Sequence, residues 1–237
     1  MTTLAKEVLK SLKKKANPEK AKFYPKFFKT EKGEYGYGDK FLGVVVPEQR
    51  NIAKQYYKQI QKEDIQFLLD EPFHEARLTA LFLLVLCYQK RAKTVEEREA
   101  WVRVYIEKMD RVNNWDLVDS SADKILGHYY FQADRSYIHS LVNSKDLWET
   151  RIAVMTSFYW IRMGDFSDTL HMCKILLKHP HDLIHKATGW MLREIGNRHK
   201  ASLNQFLSEH HKEMPRTMLR YAIDRLPDTE RKHWLNL

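Results

Sequence analysis

Glu75-Ala-Arg77-Leu-Thr-Ala80, Glu149-Thr-Arg151-Ile-Ala153, Ile184-His-Lys186-Ala-Thr188 and Thr217-Met-Leu-Arg220 share one pattern, a basic residue set among small and apolar ones. From Arg151 to Lys186 is 35 positions, from Lys186 to Arg220 is 34, and from Arg77 to Arg151 is 74, or twice 37. A period in that range belongs to two-helix repeats, because neither helix of a pair can bury its apolar face without its neighbours. The register left open near residue 114 is filled by Asn113-Asn-Trp115-Asp-Leu-Val-Asp119. The chain therefore reads as an all-α, HEAT-like helical-repeat solenoid, and a single domain over 1–237 is the expectation.

The rest of the chain agrees with helix after helix. Apolar periodicity runs through Thr3 to Lys15, Ile52 to Ile60, Ile65 to Leu69, His74 to Tyr88, Glu96 to Met109, Trp115 to Leu126, Tyr137 to Val142, Trp148 to Met163, Thr169 to Leu177, Leu183 to Ile195, Leu203 to Glu209 and Met218 to Leu226. Prolines 18, 47, 72, 180, 215 and 227 fall between the runs, and Thr94-Val-Glu-Glu97 has the form of a helix start. Glycine numbers only eight, and four of them (Gly33, Gly36, Gly38, Gly43) crowd into one stretch. With Tyr35 and Tyr37 alternating between them, that stretch suits a β-hairpin or a Gly-rich loop near residues 29–42. It lacks the Gly-Lys-Ser/Thr ending of a phosphate loop.

Forty Lys and Arg against 31 Asp and Glu leave a net charge of +9, enough to attract a polyanion. Helices carrying Arg77, Trp115, Arg151, Lys186 and Arg220 in register could line an inner wall whose recurring cations follow a phosphate backbone. The same positions also suit a repeat scaffold for protein partners. Leu4 to Lys15 can be read as a basic membrane-surface helix or as the first element of the fold. Cys87 and Cys173 lie far apart in apolar runs, so neither a disulfide framework nor a cysteine zinc site is expected. His179, His181 and His185 lack the further ligands a metal site needs. No apolar stretch approaches the roughly 20 residues of a membrane span, and Met1 to Lys15 is unlike a signal peptide. A cytoplasmic chain is expected, with no cofactor, no metal and no membrane association.

Trp115 and Asp119 are four apart and share a helix face, so an indole stands beside a carboxylate, with Asp116 pointing elsewhere. A structural reading is open too, with Trp115 in the core and the acids complementing a helix start. Trp190 follows Gly189, with Arg193 three residues on. Trp115-Asp-Leu-Val-Asp119, Leu147-Trp-Glu-Thr-Arg151, Lys186-Ala-Thr-Gly-Trp190-Met-Leu-Arg193-Glu and Phe41-Leu-Gly-Val-Val-Val-Pro47-Glu together resemble the AlkD-type alkylpurine DNA glycosylases. The resemblance implies a C-shaped stack of repeats that clasps double-stranded DNA in a basic concavity, and a monomer is the expectation. It implies that Trp115, Asp119 and Trp190 surround the damaged nucleotide and that Arg151 supports the DNA backbone and the site.

Those residue types suit the chemistry. A purine alkylated at N3 or N7 is cationic and already a good leaving group, so a carboxylate such as Asp119 need only stabilise the oxocarbenium-like sugar or orient water. Indoles can hold the electron-poor base and sugar by cation–π contact. The segment from Phe28 to Leu42 is an insertion relative to the glycosylases, and Phe27 stands where they carry a tyrosine. Lys29, Lys32, Tyr35, Tyr37 and Lys40 on that insertion could enter a DNA groove or cover the end of the solenoid. A related branch with such a hairpin is associated with branched DNA rather than base excision. Three functions follow: an N-glycosylase for cationic alkylpurines, a non-catalytic binder of damaged or branched DNA, and a protein-binding scaffold.

Overall fold

The structure, a computed structural model, describes residues 3–237, and all its regular secondary structure is helical. The chain divides into two compact units, one ending at Ile125 and the other starting at Leu126.

The first unit contains α1 (Thr3–Lys14), α2 (Pro18–Phe28), α3 (Val46–Tyr56), α4 (Lys62–Asp70), α5 (His74–Leu86), α6 (Val95–Glu107) and α7 (Trp115–Ala122). Helix α5 is its axis, packing on α3, α4 and α7. Every residue from His74 to Val85 is buried, and a helix apolar nearly all round can only sit in an interior. Leu78, Leu81, Leu83 and Leu84 each contribute roughly 1.5–3 kcal/mol by leaving water. Helix α1 turns Ala5, Val8 and Leu12 inward, all fully buried, and leaves its lysines outside. Its apolar face is thus used by the fold, which removes the membrane-surface reading of Leu4 to Lys15. Among the described residues no helix is long and apolar enough to cross a membrane.

Between α2 and α3 the chain forms successive turns, and among the described residues the insertion has no β ladder. Of the two forms the sequence allowed, the structure has the loop. Lys29 adopts a left-handed conformation (φ 56°) that ends α2, and Gly33, Gly38 and Gly43 take positive φ, so no extended strand can propagate. The loop is anchored on the start of α5. Lys40 N donates to Pro72 O (3.0 Å) and His74 N to Lys40 O (2.8 Å), while the Glu75 carboxylate accepts from the amides of Leu42, Gly43 and Val44. Gly43 is required: at φ 81° any Cβ would stand 2.1 Å from Asn17 O.

The second unit contains α8 (His128–Tyr130), α9 (Ser136–Val142), α10 (Leu147–Arg162), α11 (Ser167–Ile175), α12 (Asp182–Arg198), α13 (Lys200–His210), α14 (Arg216–Ala222) and α15 (Asp228–Asn236). The side chain of Asp146 starts α10 by accepting from Trp148 N (2.7 Å) and Glu149 N (3.0 Å). Helix α12 packs on both α10 and α14, so the three helices bearing Arg151, Lys186 and Arg220 are consecutive neighbours in space, as the repeat spacing requires. Gly189 permits a close approach of α12 to α14, since a Cβ there would lie 2.5 Å from Met218 O. Helix α15, which periodicity passes over, is held by the half-buried Trp234 and Leu235 against the cluster around Leu207 and Met218.

Candidate nucleic-acid and base-binding site

The start of α7 forms one wall of an apolar pocket in the first unit. Asn114, fully buried, accepts from Trp115 N (2.9 Å) and donates from Nδ2 to Phe28 O (3.4 Å), tying α7 to the end of α2. That tie sets Trp115 against two rings of α2. Its indole stacks on Phe28 (centroids 5.7 Å apart, 23° between planes) and meets Phe27 edge-on (5.8 Å, 69°). Tyr24, Phe27, Phe28 and Trp115 provide the aromatic walls, Val44, Val46 and Leu78 the aliphatic ones, and Gln49, His74, Glu75, Asp116 and Ser120 the polar ones, around about 340 Å³.

Behind the aromatic wall lies a buried chain of charges. His74 Nδ1 is 2.8 Å from Asp39 Oδ2 and its Nε2 is 2.8 Å from Asp116 Oδ2. Arg77 Nη2 donates to Asp39 Oδ1 (2.6 Å) and to Asn113 Oδ1 (3.2 Å). Burial acts most strongly on His74 and disfavours its cation, yet the charge and hydrogen bond of Asp116 and the hydrogen bond to Asp39 outweigh it. The imidazole pKa rises from 6.5 to about 9. For Asp39 burial is again the largest influence and favours the acid form, but His74 and Arg77 together hold its carboxyl below the usual range. Imidazolium and carboxylates stabilise one another where neither could stay charged alone.

The residues expected from sequence divide into buried and solvent-facing groups. Arg77 is 1% exposed and committed to Asp39 and to the carbonyls of Glu71 and Pro72, so the expectation that it faces a phosphate is corrected. Arg151 is also buried, donating to Leu183 O (2.6 Å) within the second unit. The recurring cation of the repeat is therefore internal at these two positions, because an interior guanidinium must spend its donors on nearby acceptors. Lys186 pairs with Asp182 (2.7 Å), Arg193 with Asp224 (3.0 Å), and Arg220 is exposed. Trp190 is half-buried, with Nε1 donating to Glu194 (3.2 Å) and its ring 5.7 Å from Phe158. On the loop, Lys29, Lys32, Tyr37 and Lys40 are exposed and Tyr35 is half-buried.

Asp119 is half-buried on α7, and its charge acts on Tyr105, whose hydroxyl pKa is pushed up chiefly by burial. Of the carboxylates on α7, the one on the pocket wall is that of Asp116, which the sequence reading directed elsewhere. Sequence reasoning also missed Asp39, His74 and Gln49. A histidine and an acid opening an apolar helix, His74-Glu75, were the available signal, since charges there need partners. In the second unit it missed Arg162, whose guanidinium lies over Phe158 (4.6 Å) beside Trp190. Among the described residues no group of three or more His, Cys, Asp or Glu side chains is placed to hold a metal ion.

Comparison with known proteins agrees with this architecture. A solved structure described as a predicted DNA alkylation repair enzyme from Enterococcus faecalis superposes with a TM-score of 0.68, at 18% identity, covering 90% of this chain and 98% of that one. At that identity the likeness is one of fold. A search of curated proteins finds no match. The family model for the DNA alkylation repair enzymes matches residues 8–226, nearly the whole sequence, and the chain belongs to that family.

Proposed function

We propose that this protein binds double-stranded DNA and releases cationic alkylpurines, such as N3-methyladenine and N7-methylguanine, by hydrolysing their N-glycosidic bond. The observation that carries the reading is the composition of one short helix: α7 has Trp115 and Asp116 on the wall of an aromatic pocket and Asp119 one turn after Trp115, in a chain of net charge +9. In this reading Asp119 stabilises the positive charge that grows on the sugar as the base departs, and Trp115 contacts the electron-poor lesion. Trp190 offers DNA a further aromatic face. Lys186, Arg193 and Arg220 bind phosphates, and Arg151 acts from the interior by holding the helix start at Leu183. The test is release of 7-methylguanine from methylated duplex DNA. Wild type should release it, and Asp119→Asn should be slower by about 100-fold.

A second reading keeps DNA binding without excision, and the exposed Lys29, Lys32, Tyr37 and Lys40 of the insertion favour it. It predicts no base release and tighter binding to a three-way junction than to linear duplex. Binding indifferent to DNA and to salt would reject both in favour of a protein scaffold.

A further inference from the structure

A groove between α1 and α4 concentrates charge that the fold itself does not use. Ala5 N donates to the buried carboxylate of Asp64 (3.0 Å), and Val8 and Leu12 turn inward, so α1 is fixed along α4. Lys6, Lys10, Lys13 and Lys14, all exposed, line the groove together with Glu71. Leu9 of α1 and Phe67 of α4, both half-buried, give it an apolar floor, and its volume is about 580 Å³. It shares no lining residue with the aromatic pocket at Trp115.

Among the described residues none of these four lysines is paired with a carboxylate, whereas Lys15 reaches Glu48 (3.3 Å) and Lys108 reaches Asp70 (2.7 Å) close by. Lys13 lies over the Phe73 ring (5.8 Å), a contact that leaves its charge uncompensated. Cations one turn apart on a helix repel one another, so a negative occupant would relieve α1. Lys6, Lys10 and Lys14 follow at four-residue steps, a rise of about 6 Å each. Alternate side chains of an extended peptide share one face at nearly the same interval, about 6.6 Å.

The floor decides what kind of polyanion fits. A nucleic-acid backbone offers charge and sugar hydroxyls and would leave Leu9 and Phe67 covered by polar groups, while an apolar side chain gains by burial there. A second copy of this chain, itself at +9, would meet the lysines with like charge. We propose that the α1–α4 groove is a docking site for an acidic, extended segment of a partner protein, its carboxylates on Lys6, Lys10 and Lys14 and one bulky apolar side chain against Leu9 and Phe67. This function is separate from any action on DNA and does not depend on it.

The experiment uses the full chain and two peptides of alternating glutamate and glycine, one with a central phenylalanine and one with alanine in its place, titrated calorimetrically. Wild type should bind the phenylalanine peptide saturably and the alanine peptide about tenfold more weakly. The double variant Lys6→Gln with Lys10→Gln, changed only at exposed positions, should keep its thermal midpoint and bind the phenylalanine peptide about fivefold more weakly than wild type. Its affinity for duplex DNA should show the wild-type dependence on salt. No saturable binding by wild type, equal affinity for the two peptides, or undiminished binding by the double variant would each overturn the proposal. A fall of about 1.8 in the slope of log DNA affinity against log salt would also overturn it, by giving the two lysines to phosphates.

Discussion

His74 Nε2 lies 2.8 Å from Asp116 Oδ2, an ion pair closed in the interior between the first residue of α5 and the second of α7. Through it the central helix of the first unit and the helix carrying Trp115 are held by charge as well as by packing. Since Asp39 grips the other face of the same imidazole, the insertion before α3 is bound into the same unit of structure.

This arrangement makes stability depend on pH. The folded pKa of His74 is raised to about 9 from an unfolded value near 6.5, so its contribution is complete below pH 6.5 and is lost as pH rises through about 9. Urea unfolding at pH 6.5, 8 and 9.5 should show wild type losing stability across that window, while His74→Gln, less stable throughout, stays flatter. Parallel curves would contradict the ion pair.

Arg77→Leu should destabilise the protein by about 3–5 kcal/mol, because it leaves Asp39 buried beside one cation instead of two. At temperatures where the variant is folded, its affinity for duplex DNA should equal that of wild type. A change in salt dependence without loss of stability would restore Arg77 to the DNA-facing surface.

Arg220→Ala should behave in the opposite way. The residue is exposed on α14, so the unfolding midpoint should move little, while the slope of log affinity against log salt should fall by about 0.9. Filter binding at several salt concentrations reads the slope directly. An unchanged slope would mean that α14 makes no phosphate contact at this position.

Gly43→Ala tests the anchoring of the insertion. With φ at 81° and a Cβ position 2.1 Å from Asn17 O, the substitution should destabilise by more than about 1 kcal/mol. It should also raise amide exchange at Leu42 and Val44, whose N–H groups bond to Glu75. Wild-type stability would show that the turn is less constrained than its geometry requires.

The sequence by itself determined the helical repeat, because the spacing of Arg151, Lys186 and Arg220 and the apolar periodicity around them are local properties that a helix converts directly into faces. It also singled out the Trp115 helix. Two-helix packing then follows from the need to bury those faces, and α10, α12 and α14 are neighbours as the period demands. Only tertiary structure decided the use of each charge. Arg77 and Arg220 occupy the same register, yet one is sealed against Asp39, 38 positions away, and the other meets solvent. The pairing of Asp39, His74 and Asp116 depends on three segments converging, and no spacing along the chain records that convergence. The same holds for the position of Asp116, in place of Asp119, on the pocket wall, since that wall exists only once the helices have packed.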